Sequence, residues 1–321
     1  MNVIACCDIG GTKIRIGLVG QDGKVLASER YLIGGERSPQ PLLDTMVSRF
    51  RSLAESSGLT WSQVAAVGCS ATGPLDKDRQ YISYGYNLWD DKDVPFKAML
   101  EESCSVPAFL EMDGFAGALG EGWVGAGAGA HSLVYLIVGT GIGSGIVIEG
   151  KPARGWLGQA GEIGHTTLLP GGPACNCGKY VCLEALASGP AIALRARQAL
   201  LQGRHSSLSA ISDPNQITAA DVIQATRQGD DLAKQVIAET AYYLGIGIAT
   251  IITFLDPEVV ILGGGVILGG ADVLLEPIRK AVIPHCPEWV DLTKTLILPA
   301  ALGEDAALLG VARLAWDGLI D

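Results

Sequence analysis

The chain has 321 residues, of which 43 are glycine, 48% are hydrophobic and 18% are charged. Glycine is nearly twice as frequent as the usual ~7%, but it follows no three-residue period, which excludes a collagen-like chain. The hydrophobic fraction excludes a disordered chain. The formal net charge is −11 and no basic cluster stands out, so no nucleic-acid partner is expected. A length prior of about 150 residues per domain predicts two domains.

The first predicted elements form a hairpin. An apolar strand over residues 3–7 leads into a glycine turn over residues 8–13, and residues 14–19 return as a second strand. The opening residues carry no basic region and only a short apolar stretch, so we expect no signal peptide and a cytoplasmic protein. In that reducing compartment the eight cysteines favour metal binding over disulfides.

The next predicted elements are helices on either side of a strand. Apolar residues at helical spacing predict a helix over residues 41–56, and a strand over residues 108–112 leads into a helix over residues 114–123. A G-x-G-x-x-G sequence begins at Gly120, inside that helical pattern. A dinucleotide-binding turn follows its strand directly, so we do not interpret these glycines as a dinucleotide fingerprint.

Residues 122–148 contain no Asp, Glu, Lys or Arg and are numerous enough to span a membrane. Eight glycines interrupt this run. We therefore predict a loop, a strand over residues 133–138, a glycine turn over residues 139–145 and a further strand from residue 146. No membrane span is expected.

The remaining predicted elements include a third strand that is followed by a glycine turn. Residues 219–254 predict a long helical stretch that is broken near Gly229, and an apolar strand over residues 259–262 leads into a third glycine turn over residues 263–265. A helix over residues 303–318 ends the chain. The recurrence of a strand followed by a glycine turn indicates two α/β domains that face a shared cleft.

The first two glycine turns are candidate phosphate-binding loops. No Walker sequence G-x-x-x-x-G-K-[ST] occurs, but each turn offers bare backbone N–H groups and a threonine hydroxyl at the end of a buried strand. A carboxylate beside the first turn can hold Mg²⁺ through water. A pair of structural hairpins is the alternative. The candidate residues are Asp8, Gly10, Gly11, Thr12, Lys13, Gly139, Thr140, Gly141 and Gly143.

A cluster of potential metal ligands follows in the second half of the chain. Cys175, Cys177 and Cys182 form a C-x-C-x₄-C sequence, and His165 precedes them. Three thiolates and an imidazole are the usual ligand set of a structural Zn²⁺ site, whereas buried free cysteines are the alternative. The other cysteines are predicted to be buried free thiols: Cys6, Cys7, Cys69, Cys104 and Cys286.

Three carboxylates stand at positions suited to binding a polyol. Asp113 follows a predicted strand, where it can serve as a general base for a hydroxyl that attacks a phosphoryl group, or as a helix cap. Glu162 and Glu184 bracket the cysteine cluster and can accept hydrogen bonds from adjacent hydroxyls. His165 can bind a metal through one ring nitrogen and a ligand through the other.

Together these segments resemble the ROK family of sugar kinases and repressors, of the actin/hexokinase/Hsp70 fold class. The resemblance extends over nearly the whole chain, and the cysteine signature with the preceding Glu-x-Gly-His is its most specific part. It implies an α/β, two-lobed actin-like ATPase (ribonuclease H-like) fold with a central cleft. The smaller lobe would comprise residues 1–115 plus 304–321, and the larger lobe, with the zinc loop, residues 116–303. The matching segments are residues 8–13, 139–143, 161–165, 175–184 and 257–265.

The resemblance implies an ATP- and Mg²⁺-dependent transfer of the γ-phosphoryl group to a hexose hydroxyl, with glucose O6 as the first choice. Asp113 would be the general base, and residues 263–265 would approach the adenosine. The resemblance also suggests a homodimer and a structural Zn²⁺ held by His165 and the three clustered cysteines. The implied sugar contacts are Gly73, Asn87, Met112, Glu162, His165 and Glu184.

The chain departs from the family pattern around the predicted base. The family usually has Asn-Asp-x-Asn, whereas this chain has Met112-Asp113-Gly114-Phe115. The missing asparagine normally contacts a sugar hydroxyl, so N-acetylmannosamine, N-acetylglucosamine, fructose and allose stay open as substrates. A sugar-binding regulator without transfer activity is the alternative from a different class. Val181 stands where the zinc loop usually has glycine.

Overall fold

The computed structural model describes residues 2–34, 38–85, 88–168 and 171–320. The chain divides into two compact units. The first unit comprises Met1–His131, Gly145–Ala160 and Glu304–Asp321, and the second comprises Ser132–Ser144 and Gly161–Gly303. This division differs from the predicted lobes, because residues 116–131 and 145–160 lie in the first unit.

Strands and helices are interspersed along the described chain, as in other mixed α/β proteins. The strands are β1 Val3–Ile9, β2 Lys13–Gly20, β3 Val25–Leu32, β4 Val64–Ala71, β5 Ile82–Tyr84, β6 Lys92–Val94, β7 Ala108–Met112, β8 Ser132–Val138, β9 Ile142–Ile148, β10 Lys151–Pro152, β11 Val259–Gly263 and β12 Leu296–Pro299. The helices are α1 Pro39–Ser56, α2 Phe96–Cys104, α3 Asp113–Val124, α4 Leu183–Ala187, α5 Gly189–Leu201, α6 Ala219–Arg227, α7 Asp231–Leu255, α8 Gly265–Val282 and α9 Ala306–Gly318.

The sheet of the first unit has the strand order β3-β2-β1-β4-β7. β1 pairs antiparallel with β2, and β2 with β3, whereas β1, β4 and β7 run parallel. Parallel neighbours end at the same edge of a sheet, and this edge is where α/β folds place their functional groups. The chain leaves the edge at Gly10, Thr72 and Asp113.

One face of this sheet is covered by α1 and α2. Alternate residues of β1 point to that face, because successive side chains of a strand point to opposite sides. The core there includes Ala5, Cys7, Ile9, Leu43, Met46 and Phe50. Cys6, Cys7, Cys69 and Cys104 are buried free thiols as predicted, whereas Cys286 is only half-buried.

The other face of the sheet packs against α9, and α9 packs closely on α3. A Cβ atom added to Gly310 would overlap the carbonyl oxygen of Ala116, and one added to Gly120 would overlap that of Ala306. Glycine is therefore required at both positions for the two helices to approach this closely. This packing places α3 in the first unit. It also gives Gly120 a structural role inside a helix, where the G-x-G-x-x-G sequence does not follow a strand directly.

The second sheet has the order β10-β9-β8-β11-β12, in which β8, β11 and β12 run parallel. Strand β9 begins at Ile142, so the predicted turn over residues 139–145 is too long and the predicted start at residue 146 is wrong. Gly143 and Gly145 are strand residues. A Cβ atom on Gly145 would overlap the carbonyl oxygen of Gly114, so this glycine permits close packing of the strand rather than a turn.

The long helical stretch is broken as predicted, into α6 and α7. Gly229 has a φ of +92°, and the side chain of Asp230 accepts a hydrogen bond from the N–H of Ala233 at 2.9 Å, which starts α7. Among the described residues, α7 is the helix whose length and composition would suffice to cross a membrane. Most of its apolar window, 61%, is buried within the structure, as in the core helix of a globular protein.

Candidate functional site

A row of polar side chains crosses the first sheet near its carboxyl edge. Asp8 of β1 lies opposite Arg15 of β2 and beside Ser70 of β4, and Ser70 in turn lies beside Glu111 of β7. Partners in register point to the same face of a sheet. The strand pairing therefore brings these groups onto one face, although their separation in sequence gives no hint of this.

Asp113 lies two residues beyond Glu111, where β7 has ended, as the first residue of α3. Its Oδ1 accepts a hydrogen bond from the N–H of Gly114 at 2.7 Å, and the Oγ1 of Thr72 donates to its Oδ2 at 3.5 Å. Thr72 follows β4, which is the strand next to β7. Two neighbouring strand ends thus fix the orientation of this carboxylate, which is what a general base requires.

The carboxylate of Asp8 lies in a desolvating environment. Burial raises its pKa from 3.8 to about 6; the hydroxyl of Ser70 acts in the opposite direction, and the negative charge of Asp113 raises it further. Arg15 and Lys13 lower it. A cation beside Asp8 would relieve the repulsion from Asp113, which is the environment that a hydrated Mg²⁺ would enter.

The first glycine turn is short and partly exposed. The N–H of Gly10 donates to the carbonyl oxygen of Lys13 at 3.0 Å, which closes the turn. Lys13 also donates from its Nζ to Glu304 at 3.4 Å. No local pattern predicts this contact, since Glu304 lies 291 positions later in the chain.

The second glycine turn, in the second unit, is held by Glu184. The N–H of Ile142 donates to Glu184 Oε2 at 3.0 Å, and a Cβ atom on Gly141 would lie 2.5 Å from the same oxygen. The N–H of Gly189 donates to the carbonyl oxygen of Gly139 at 2.8 Å. Glu184 therefore has a structural contact to the candidate phosphate turn that sequence reasoning missed, besides its predicted sugar contact.

His165 and the clustered cysteines come together as the sequence predicted. Their potential ligand atoms all lie within 4.8 Å of one another. The Sγ of Cys175 is 3.7 Å from His165 Nδ1, and the Sγ atoms of Cys177 and Cys182 are 3.6 Å apart. Zn–S bonds of about 2.3 Å in a tetrahedron separate two sulfurs by about 3.8 Å. The residues therefore fit a tetrahedral zinc ion.

The loop of this cluster contains a strained residue. Val181 has a φ of +67° and its side chain is buried. A β-branched residue rarely adopts this left-handed conformation. Its N–H donates to the carbonyl oxygen of Pro173 at 2.7 Å, and the next residue is Cys182. Glycine would adopt this conformation without strain, so the surrounding contacts impose it on Val181.

His165 presents its two ring nitrogens to different partners. Nδ1 faces Cys175, and Nε2 lies 3.9 Å from Glu162 Oε2. Burial raises the pKa of Glu162, and the imidazole of His165 opposes this rise. This arrangement is compatible with the prediction that one ring nitrogen of His165 binds a metal and the other binds a ligand.

The third glycine turn links β11 to α8. A Cβ atom on Gly263 would overlap the hydroxyl of Tyr135, and one on Gly264, whose φ is +83°, would overlap the carbonyl oxygen of Val138. Gly265 has open space at its Cβ position. The first two glycines therefore let the turn pack against β8, and the third leaves the start of α8 accessible.

The remaining predicted sugar contacts belong to the first unit. Gly73 has a φ of +126°, which favours glycine. Met112 is partly buried and packs against the hydrophobic core, and Phe115 is fully buried. Both residues, at which the sequence differs from the predicted motif, thus pack as apolar side chains within the fold. Asn87 lies outside the described residues.

We predict that Asp8→Asn stabilises the protein at neutral pH. The folded state binds the Asp8 proton more tightly than the unfolded chain does, so this carboxylate reduces stability as the pH rises from about 4 to above about 6. The pKa difference corresponds to a gain of at most about 3 kcal/mol at pH 7.5. Thermal unfolding without Mg²⁺ would show the gain at pH 7.5 and its loss near pH 4. The exposed Asp44→Asn is the control, and a lower Tm for Asp8→Asn at pH 7.5 would contradict the prediction.

Comparisons with known proteins identify the family of the chain. The ROK family model matches residues 4–317. The glucokinase of Halalkalibacterium halodurans is 36% identical over 313 residues, covering 94% of this chain and 92% of that protein. A xylose repressor of Caldicellulosiruptor bescii is 30% identical over 276 residues, covering 86% of this chain and 68% of the repressor.

A solved structure of a ROK family glucokinase from Streptomyces griseus, in complex with glucose and AMPPNP, is 33% identical. It aligns with a TM-score of 0.83 over 99% of this chain and 100% of that one. The predicted fold class, the α/β actin-like ATPase fold, is thereby confirmed. The matched length, the identity and the shared fold establish that the chain belongs to the ROK family.

Proposed function

We propose that this protein is an ATP-dependent hexose kinase that transfers the γ-phosphoryl group to O6 of glucose. The observation that carries the proposal is the pair of carboxylates at the carboxyl edge of the first sheet. Asp113 is oriented by Thr72 and Gly114, and Asp8 lies close enough for its pKa to respond to the Asp113 charge. One carboxylate can serve the attacking hydroxyl and the other the metal-bound phosphates.

The sugar hydroxyl would attack the γ-phosphorus while Asp113 accepts its proton. The bond from the sugar oxygen to phosphorus forms as the bond from the γ-phosphorus to the bridging oxygen breaks, and ADP leaves. Mg²⁺ bound with ATP would neutralise the phosphate charge, and Asp8 would hold it through water. The backbone N–H groups of Gly11 and Gly141 are our proposed phosphate donors, whereas that of Gly10 closes the first turn by donating to Lys13.

The sugar would be recognised by Glu162, His165 and Glu184 of the second unit. Glu184 already accepts from the N–H of Ile142 through Oε2, and its Oε1 accepts from the Sγ of Cys175 at 3.5 Å. A Cys175 thiolate bound to zinc would no longer donate, so Oε1 is the oxygen proposed for a sugar hydroxyl. The pKa of Glu162 is raised by burial, and a sugar hydroxyl would supply a hydrogen-bond donor to its charged form. Paired carboxylates of this kind favour a polyol over an apolar substrate.

We propose glucose rather than another hexose because similar proteins at 33–36% identity are named glucokinases. Met112 cannot donate or accept as the usual asparagine does, and its side chain packs against the core. N-acetylmannosamine, N-acetylglucosamine and fructose are therefore the alternatives in this class. The regulator alternative is favoured by the likeness to a xylose repressor, but a regulator requires no oriented base.

We also propose one structural Zn²⁺ per chain, held by His165, Cys175, Cys177 and Cys182. All four protein ligands would be used, so the ion would shape the loop instead of binding substrate. It would fix the strained Val181 and orient His165 towards Glu162. A cytoplasmic homodimer without nucleic-acid or membrane partners completes the proposal.

We predict that purified protein releases ADP from MgATP in the presence of glucose, and that Asp113→Asn lowers kcat by about 10²–10⁴-fold. The amide keeps the shape of the carboxylate but cannot take the proton. A coupled assay over glucose, mannose, fructose and the two N-acetylhexosamines would measure both effects, with Asp44→Asn as the exposed control. Sugar binding in calorimetry without ADP release for any sugar would contradict the kinase and favour the regulator.

We predict that metal analysis of untagged protein returns about one zinc per chain, and that a strong chelator lowers the Tm because the cysteine loop loses its support. Cys182→Ser should lose the zinc, whereas Cys286→Ser should retain it, since Cys286 lies outside the cluster. A folded, active protein without zinc would contradict the assignment.

A further inference from the structure

A buried ion cluster lies two residues before the proposed base. The carboxylate of Glu111 has no exposed surface. Its Oε1 accepts from Arg79 Nε at 3.2 Å, and its Oε2 accepts from Arg154 Nε at 2.7 Å. The N–H of Met112 also donates to Oε1 at 3.0 Å. The mechanism proposed above uses none of these charges.

Arg79 reaches this cluster from the loop that follows β4. Its φ is +58°, a left-handed conformation that non-glycine residues seldom adopt. Besides Glu111, its guanidinium donates to the carbonyl oxygen of Asp76 at 3.2 Å and to that of Gly158 at 3.4 Å. A single side chain thus joins the loop after β4, the catalytic strand β7 and the segment around Gly158.

The loop itself is built around Asp76. Asp76 Oδ1 accepts from the N–H groups of Gln80 and Tyr81, both at 2.6 Å, and Oδ2 accepts from the N–H of Asp78 at 3.1 Å. These bonds fold residues 76–81 into a rigid unit, and Arg79 is the member of that unit that reaches β7. The loop leads from Thr72 and Gly73 at the strand edge to β5.

Stability alone does not explain the cluster. Buried ion pairs seldom stabilise a fold more than well-packed apolar residues of the same size would. The strained backbone of Arg79 adds a further cost, and such strain persists where the surroundings impose one geometry. The arrangement therefore fixes the position of the loop relative to β7 at some expense in stability.

We infer that Arg79 is a positioning residue for the sugar, which holds the loop from Gly73 against the strand of Asp113 through Glu111. This inference rests on the proposed kinase function. We therefore expect Arg79 to affect the affinity for the sugar and not the affinity for ATP. Its contacts lie on the loop after β4, on β7 and on the Gly158 segment, whereas the glycine turn proposed for the phosphates lies between β1 and β2.

Two independent substitutions disturb the contact between Arg79 and Glu111 without removing the Glu111 carboxylate. Arg79→Ala leaves Glu111 paired with Arg154, so the buried carboxylate keeps a cation. Gly158→Ala leaves all charges in place, but its Cβ would lie 2.6 Å from Arg79 Nη1 and would displace the guanidinium. Gly150→Ala is the matched control, since Gly150 has the same φ of +73° and open space around its Cβ position.

Steady-state kinetics test the inference. Arg79→Ala and Gly158→Ala should each raise the KM for glucose about tenfold, change the KM for MgATP less than twofold, and give no further increase when combined. Arg79→Lys, which keeps the charge, should recover part of the glucose affinity, and Gly150→Ala should match the wild type. Loss of folded protein would lower kcat and leave both KM values unchanged.

The outcomes separate this inference from the proposed function. A wild-type protein without sugar-dependent ADP release overturns the kinase proposal. An active wild type whose glucose KM is unchanged in both Arg79→Ala and Gly158→Ala, or changes equally in Gly150→Ala, overturns the role of Arg79 alone. An equal rise in the KM for MgATP overturns it as well.

Discussion

The parallel pairing of β1, β4 and β7 is the constraint on which the proposed chemistry depends. Because the three strands run in the same direction, Gly10, Thr72 and Asp113 leave the sheet at one edge. Register then aligns Asp8, Ser70 and Glu111 across one face. A slip of one residue would turn these polar groups towards the apolar core on the opposite face. Fold and site are therefore specified by the same hydrogen-bond ladder.

The polar row is costly to bury, and the structure offsets the cost in different ways at its two ends. Glu111 is neutralised by two arginines, whereas Asp8 keeps a raised pKa beside Asp113. The buried carboxylate that is fully compensated, Glu111, serves as a support. The carboxylate that is only partly compensated is the one placed to receive a cation. This contrast distinguishes a structural charge from a functional one without reference to any relative.

Local patterns in the sequence predicted much of this fold. Strands β1, β8 and β11, the turns that follow them and the cysteine cluster depend on neighbouring residues, and the break before α7 follows from Gly229 and Asp230. The turn after β8 was predicted too long, because Gly145 serves a packing contact with Gly114 that only the folded chain contains. Likewise, the contacts of Glu184 with Ile142 and of Arg79 with Glu111 join distant segments. Periodicity and spacing carry no information about such pairs.

The central claim is that Asp113 receives the proton of the sugar hydroxyl. A crystal structure of the protein with glucose and a non-hydrolysable ATP analogue measures this most directly, through the distance between the Asp113 carboxylate and glucose O6. We expect a hydrogen bond of about 2.6–3.2 Å, with O6 directed at the γ-phosphate. Glucose bound with O6 held by another residue, and Asp113 in contact with no hydroxyl, would contradict it.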